Sequence, residues 1–233
     1  MKFKHFIITE KKEEDSLHVA VSAGRFTGAS KEHHKLLQNL FKQKADHHYV
    51  FVTGPSTKEE TTEKDPFTVD EKVAHLRKLY PDKAESFVPG NTPHTKTPNQ
   101  ALAYVYHQHK HRGKVNLTVV AGSGSAGVKS KSAAGGSIES YQNIISKYNK
   151  TKFPVRIEGG KKIGGDYRMN YSSTNFVENP RGETSGSVVR KFAHEHDHNN
   201  PAHVAAFKKL LHPDTTDGDA SMLMRRMREA KKK

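Results

Sequence analysis

The feature that most constrains this chain is a junction at residues 17–41, where an apolar run passes through a glycine turn into a helical pattern. Leu17-His18-Val19-Ala20-Val21 favours a strand, and Gly24-Arg25-Phe26-Thr27-Gly28-Ala29 supplies the turn. His34, Leu36, Leu37, Leu40 and Phe41 then recur at helical spacing. Ser30 is placed to cap that helix, and His33 falls on its first turn. In an open α/β sheet such a junction collects phosphates. The first helical N–H groups lack intrahelical partners, and the helix dipole aims its positive end at the turn.

The rest of the chain continues the alternation. Residues 3–9 read as a short strand and Lys11 to Asp15 as a charged turn. The first helix is expected from about Ser30 to Lys44, followed by a strand over His48–Thr53 and a mobile polar surface loop from Gly54 to Asp65. Thr68 with Glu71 three positions on is a capping signature, and Val69, Val73, Leu76 and Leu79 give that helix an apolar face. Ser86-Phe87-Val88 is a short apolar piece, and Thr97-Pro98 marks a further helix start through Tyr106. Val115–Ala121 reads as a buried strand running into Gly122-Ser123-Gly124-Ser125, and residues 124–136 are low-complexity Gly/Ala/Ser/Lys. Ser137 caps a helix to Tyr148-Asn149; strands are expected at Phe153–Ile157 and Ser172–Val177, flanking a glycine-lysine turn at 159–165. A helix opens near Ser185, and two more span Pro201–Leu211 and Asp219–Ala230. Strands alternating with helices imply right-handed crossovers and a Rossmann-like three-layer α/β/α sandwich, its sheet mainly parallel and its C-terminal end helical.

Charge and composition narrow the partners. A formal charge of +14 and a pI near 9.7 favour anionic partners such as nucleotides, nucleic acid or an acidic protein. Lysine and arginine are spread along the chain, and Lys231-Lys232-Lys233 is the one pure run, which is the pattern of a solvated basic surface. Sequence-independent nucleic-acid binding would call for aromatics interleaved along a basic stripe, and these are missing. With no cysteine there is no disulfide framework or thiolate metal site. No segment approaches the roughly 20 apolar residues that span a bilayer. The apolar stretch within residues 1–9 is too short for a signal peptide. A cytoplasmic protein without membrane partners is expected.

Two motifs then carry a resemblance. Gly24-Arg25-Phe26, three residues, and Ser30-x-Glu32-His33 resemble the Gly-Arg-Phe-x-x-x-(His/Thr)-x-Gly-His signature of the HIGH-type nucleotidyltransferases, above all their bacteriophage cytidylyl/adenylyltransferase-like members. Thr184-Ser185-Gly186-Ser187-x-x-Arg190 resembles the family's second signature, Ile-Ser-x-(Thr/Ser)-x-x-Arg. Pro66-Phe67-Thr68 to Lys72, Tyr80-Pro81, and Phe207 to Pro213 also match phage-type segments, in the same order. Three departures fall at the nucleotide end, Ser30 for His/Thr, Glu32 for Gly, and Gly124-Ser125 where relatives carry Asp-Arg, and Thr184 stands where Ile is usual in the second signature.

The resemblance implies a core at residues 1–180 and a C-terminal helical segment at 181–233 that completes the phosphate site, together one structural unit. It implies roles as well. His33 would stabilise the α-phosphate, Ser30 would add a hydrogen bond, and Arg190 with Ser185 and Ser187 would hold the distal phosphates. Gly24, Arg25, Phe26, Gly122 and Ser123 would line the nucleotide site. ATP or CTP would bring Mg²⁺, with no metal site built into the protein.

Two functions stay open. One is transfer of a nucleoside monophosphate with release of pyrophosphate, impaired by the altered signature. The other is a catalytically inactive descendant serving as a binding component, or as a structural component of a virion or homo-oligomer. Glu32 places a negative side chain where an anionic ligand is expected. The histidines at 107, 109 and 111 and at 194, 196 and 198 read as solvated helix ends, although His194 and His198 have the i, i+4 spacing of a helical metal pair.

Overall fold

A computed structural model describes residues 16–122, 137–150, 156–158, 161–163, 169–180, 182 and 184–231. The strand expected over 3–9, the low-complexity stretch and most of the strand expected at 153–157 lie outside the described residues.

The strands are β1 (Ser16–Gly24), β2 (His47–Val52), β3 (Phe87–Pro89), β4 (Lys114–Gly122), β5 (Arg156–Glu158), β6 (Lys161–Ile163) and β7 (Ser173–Asn179). The helices are α1 (Lys31–Phe41), α2 (Val69–Leu79), α3 (Pro98–His109), α4 (Ile138–Tyr148), α5 (Gly186–Glu195), α6 (Pro201–Lys208) and α7 (Asp217–Lys231). Five strands form one sheet in the order β3-β2-β1-β4-β7, every pair parallel, while β5 and β6 pair antiparallel on their own. The chain grows outward from β1 to β3 and then returns to lay β4 on the other side of β1. That reversal makes the C-terminal ends of β1 and β4 the switch point at which open parallel sheets form their ligand crevice.

Both sheet faces are covered, which explains the near-continuous apolar strands. Val19, Val21 and Ala23 of β1, with Leu117 and Val119 of β4, pack against Leu102 and Val105 of α3 and Tyr141 and Ile145 of α4. On the other face Ala20, Val50, Val52 and Val120 meet Leu37 and Leu40 of α1 and Val69, Val73 and Leu76 of α2. The molecule is thus the expected Rossmann-like three-layer sandwich. A third apolar cluster joins α5, α6 and α7 around Val189, Phe207, Leu211, Met224 and Met227, with Phe67. Arg226 of α7 reaches Glu71 at 3.2 Å and Lys78 of α2 reaches Asp219 at 2.8 Å, tying these helices to α2.

The caps follow the sequence signals. Thr68 and Glu71 bond reciprocally, as do Thr97 and Gln100 with Pro98 in the first turn, and Ser137 accepts from the Ser140 N–H. Three expectations need correction. The first helix stops at Phe41, with Lys42 as its C-cap. The helix expected through Leu211 stops at Lys208, because Leu211 leaves it to form an antiparallel bridge with Ser30. The 54–65 loop is not a loose surface segment: Thr61 and Asp65 are buried, and Asp65 pairs with Lys72.

The fully buried Tyr171 donates its hydroxyl hydrogen to the Leu102 carbonyl at 2.7 Å, tying the chain before β7 to α3. Tyr171→Phe is therefore expected to lower unfolding free energy by about 1 kcal/mol. A shifted urea midpoint at unchanged m-value would register it.

Candidate anion-binding site at the sheet switch point

The turn after β1 is held in an unusual backbone. Phe26, Gly28 and Ala29 all have positive φ, at 46°, 69° and 43°. Two of these are not glycine, and each such residue costs on the order of 1 kcal/mol that the surroundings must offset. The surroundings are specific. Phe26 is buried, its ring over Gly24, where a Cβ would come within 3.2 Å of it. Gly28 lies under the C-terminal helices, where a Cβ would stand 2.9 Å from Met227 Cε. Residues 29–31 are bonded from outside: Lys31 N–H donates to the Leu210 carbonyl and the Ala29 carbonyl accepts from His212 N–H, both at 3.0 Å.

That turn delivers Ser30 and His33 to the crevice. Ser30 Oγ caps α1 by accepting from His33 N–H at 3.4 Å, and His33 Nδ1 accepts from Ser30 N–H at 3.2 Å. This reciprocal cap puts the proton of the neutral imidazole on Nε2. Phe26 holds the other side of the ring, with centroids 5.2 Å apart. The His33 pKa is lowered to about 4, first by burial and then by Lys72, against an opposing effect of Glu32 that exceeds the further lowering by Arg190 or by Arg25. His33 is therefore a neutral N–H donor at pH 7, among three cations.

Two of those cations were expected here. Arg25 is exposed on the turn, and Arg190 stands half-buried on the first turns of α5, with Arg25, Asp65 and Glu63 around it. Neither has a hydrogen-bond or ion-pair partner among the described residues. Ser185 and Ser187 bond each other at 2.7 Å, and Ser185 makes no side-chain cap to α5. The helix thus presents its first N–H groups beside Arg190. A cleft of about 330 Å³ opens there, with Ser187, Arg190, Lys191, Glu63 and Glu195 among its lining residues, and Ser30 and His33 do not line it.

The third cation, Lys72, was not singled out in advance. It is 3% exposed, 2.5 Å from Asp65, and donates to the Thr53 carbonyl at 3.0 Å. Burial lowers its pKa and raises that of Asp65, each partner opposing the other's shift. The signal was a lysine inside the apolar stripe Val69, Val73, Leu76.

The structure thus gathers Ser30, His33, Arg25, Phe26 and Arg190, with Ser185 and Ser187 one turn from Arg190. Gly24 and Gly122 end β1 and β4 at the same end of the sheet, and a Cβ on Gly122 would meet nothing within 4 Å. Ser123 lies outside the described residues.

Glu32 does not project freely into this space. Its carboxylate accepts from Gly182 N–H at 3.0 Å and Thr184 Oγ1–H at 3.2 Å, with Lys35 Nζ at 3.3 Å. It is a strut between the start of α1 and the approach to α5.

Among the described residues no group of three or more His, Asp or Glu side chains could hold a metal ion, and Asp65 is engaged by Lys72. The histidine-rich helix ends are more structural than expected. His109 is buried, bonds Tyr49 Oη at 2.7 Å and stacks on His47. His194 Nε2 lies 3.1 Å from the Met227 carbonyl.

Fold and site define a class: a Rossmann-like α/β protein with a neutral histidine and a cationic cluster at the switch point of its parallel sheet. The chain matches no protein-family model, no curated protein and no solved structure. No described helix is long and apolar enough to cross a membrane.

Proposed function

We propose that the protein binds a nucleoside triphosphate, ATP or CTP with its own Mg²⁺, and transfers the nucleoside monophosphate to an acceptor. The acceptor oxygen would attack the α-phosphorus, the bond to the bridging oxygen would break, and pyrophosphate would leave. Such a transfer asks the protein for positioned phosphates and for donors facing the developing charge. The carrying observation is the Ser30–His33 reciprocal cap, which presents Nε2–H among Arg25, Lys72 and Arg190. His33 would face the α-phosphate. Arg190 and the start of α5, with Ser185 and Ser187, would take the β- and γ-phosphates.

One observation favours a second reading, a non-catalytic binding component for an acidic partner. The N-terminus of α1 is largely occupied from within, since Lys31 N–H goes to Leu210, His33 N–H to Ser30, and the Glu32 carboxylate stands beside them. Calorimetric titration with MgATP and MgCTP separates the two. Micromolar binding by the native protein is the expected result. Binding only after Glu32→Gly would mean a retained fold with a closed site, and no binding by either protein would overturn the nucleotide reading.

A further inference from the structure

Away from the cationic cluster, imidazoles crowd the seam where the C-terminal segment meets α1 and α2. His212 is 3% exposed, and its ring stands edge-on to His34 of α1 at 4.2 Å and to Tyr80 at 4.8 Å. His34 Nδ1 and Tyr80 Oη are 2.6 Å apart. His212 Nδ1 accepts from Asp214 N–H at 3.1 Å, which fixes the neutral tautomer with the proton on Nε2. That Nε2 is buried with no hydrogen-bond partner among the described residues, and so is Nε2 of His75 on α2. The charged groups facing the cluster are Asp214 on its own segment, Lys78 on α2 and Asp219 on α7. Lys78 and Asp219 are already paired at 2.8 Å, and Asp214 Oδ2 is 3.8 Å from His212 Nδ1.

We propose that His34, His75 and His212 form an acid-released latch, which docks residues 210–216 onto the turn before α1 while neutral and frees them on protonation. Geometry supplies the reasons. A proton on His212 Nδ1 would put two donors face to face at the Asp214 amide. It would also place an imidazolium 4.2 Å from His34, in a pocket where Nε2 has no acceptor among the described residues. The same segment carries the Leu210 and His212 backbone bonds to Lys31 and Ala29, so its release loosens the turn that delivers Ser30 and His33. Burial, then His34 and more weakly His75, lower the His212 pKa to about 4 against the opposing pull of Asp214, and burial lowers those of His34 and His75 against Asp214 and Asp219. The unfolded chain therefore binds more protons than the folded one below about 6.5. The latch's contribution is whole above that pH and is lost as pH falls towards 4. The inference concerns the seam and stands whether or not the crevice takes a nucleotide.

Amide hydrogen exchange of the full chain tests it, at pH 7.5 and 5.0 with intrinsic rates corrected. Peptides over 29–34 and 208–216 are expected to lose protection together, at least tenfold, while β1 and β4 keep theirs. In His34→Gln, or His75→Gln should the first misfold, the midpoint of that loss moves to lower pH. Unchanged protection at pH 5.0, loss spread evenly over the sheet, or the same midpoint in the variants would overturn the latch.

Discussion

Lys72→Ala is expected to lower unfolding free energy by about 3–5 kcal/mol, the cost of leaving a buried charge without its partner. Asp65 is 7% exposed, and without Lys72 its carboxylate keeps, among the described residues, only the 3.4 Å hydrogen bond from Thr27 Oγ1. Burial already pushes its carboxyl up against the pull of Lys72, so removing the ammonium drives it to protonate or the loop to open. Either outcome removes the Lys72 tie between residues 54–65 and α2 and leaves the Thr53 carbonyl without its Lys72 donor, while the Val69 N–H bond to the Pro55 carbonyl remains. Urea denaturation measures the loss. The double replacement Lys72→Met with Asp65→Leu separates pair from packing, and should recover most of the stability because neither charge is then buried alone. A Lys72→Ala protein within about 1 kcal/mol of native would show that Asp65 does not need its partner.

The second large effect belongs to Arg190. Its guanidinium is half-buried, and no partner engages it among the described residues, so its replacement breaks no ion pair there. If it grips the distal phosphates, Arg190→Ala should weaken MgATP binding by roughly ten- to a hundredfold, the scale of a charge-assisted hydrogen bond of about 1.5–3 kcal/mol. The melting temperature should stay near that of the native protein. Arg190→Lys should recover only part of the affinity, because an ammonium lacks the planar fork that meets two phosphate oxygens at once. His33→Ala should act differently, reducing turnover more than binding if Nε2–H meets charge that develops in the transition state. An Arg190→Ala protein that binds MgATP as tightly as native would remove the distal-phosphate assignment.

Much of the scaffold could be read from local pattern. Thr68 with Glu71, and Thr97-Pro98 with Gln100, announce helix starts because a cap is chemistry among residues three positions apart. The strand runs over 17–21 and 115–121 are legible because a sheet buried on both faces needs apolar residues throughout. Ser30 and His33 were legible for the same local reason. The position of Glu32 was not. Its spacing puts it near the expected ligand, but its partners Gly182 and Thr184 lie about 150 positions away and draw it aside. Lys72 carried a signal in its place on an apolar face, yet its partner Asp65 sits among polar loop residues and looks like one of them. The histidine seam was illegible, since His34, His75 and His212 come from three distant elements and acquire meaning only when the chain brings them together.

The strained turn has a consequence for the order of events during synthesis. Ala29 is held by His212, Gly28 by Met227 and the adjoining Lys31 by Leu210, all of which leave the ribosome about 180 positions or more after the turn itself. At about 5–20 residues per second that is a wait of roughly ten seconds or longer. Through that interval β1 and β2 can pair and α1 can cover them, while the turn stays without the clamp that fixes its geometry. The nascent protein therefore has its scaffold before it has its crevice. A stalled chain released before residue 210 would be folded in its sheet and unfinished where the ligand is expected.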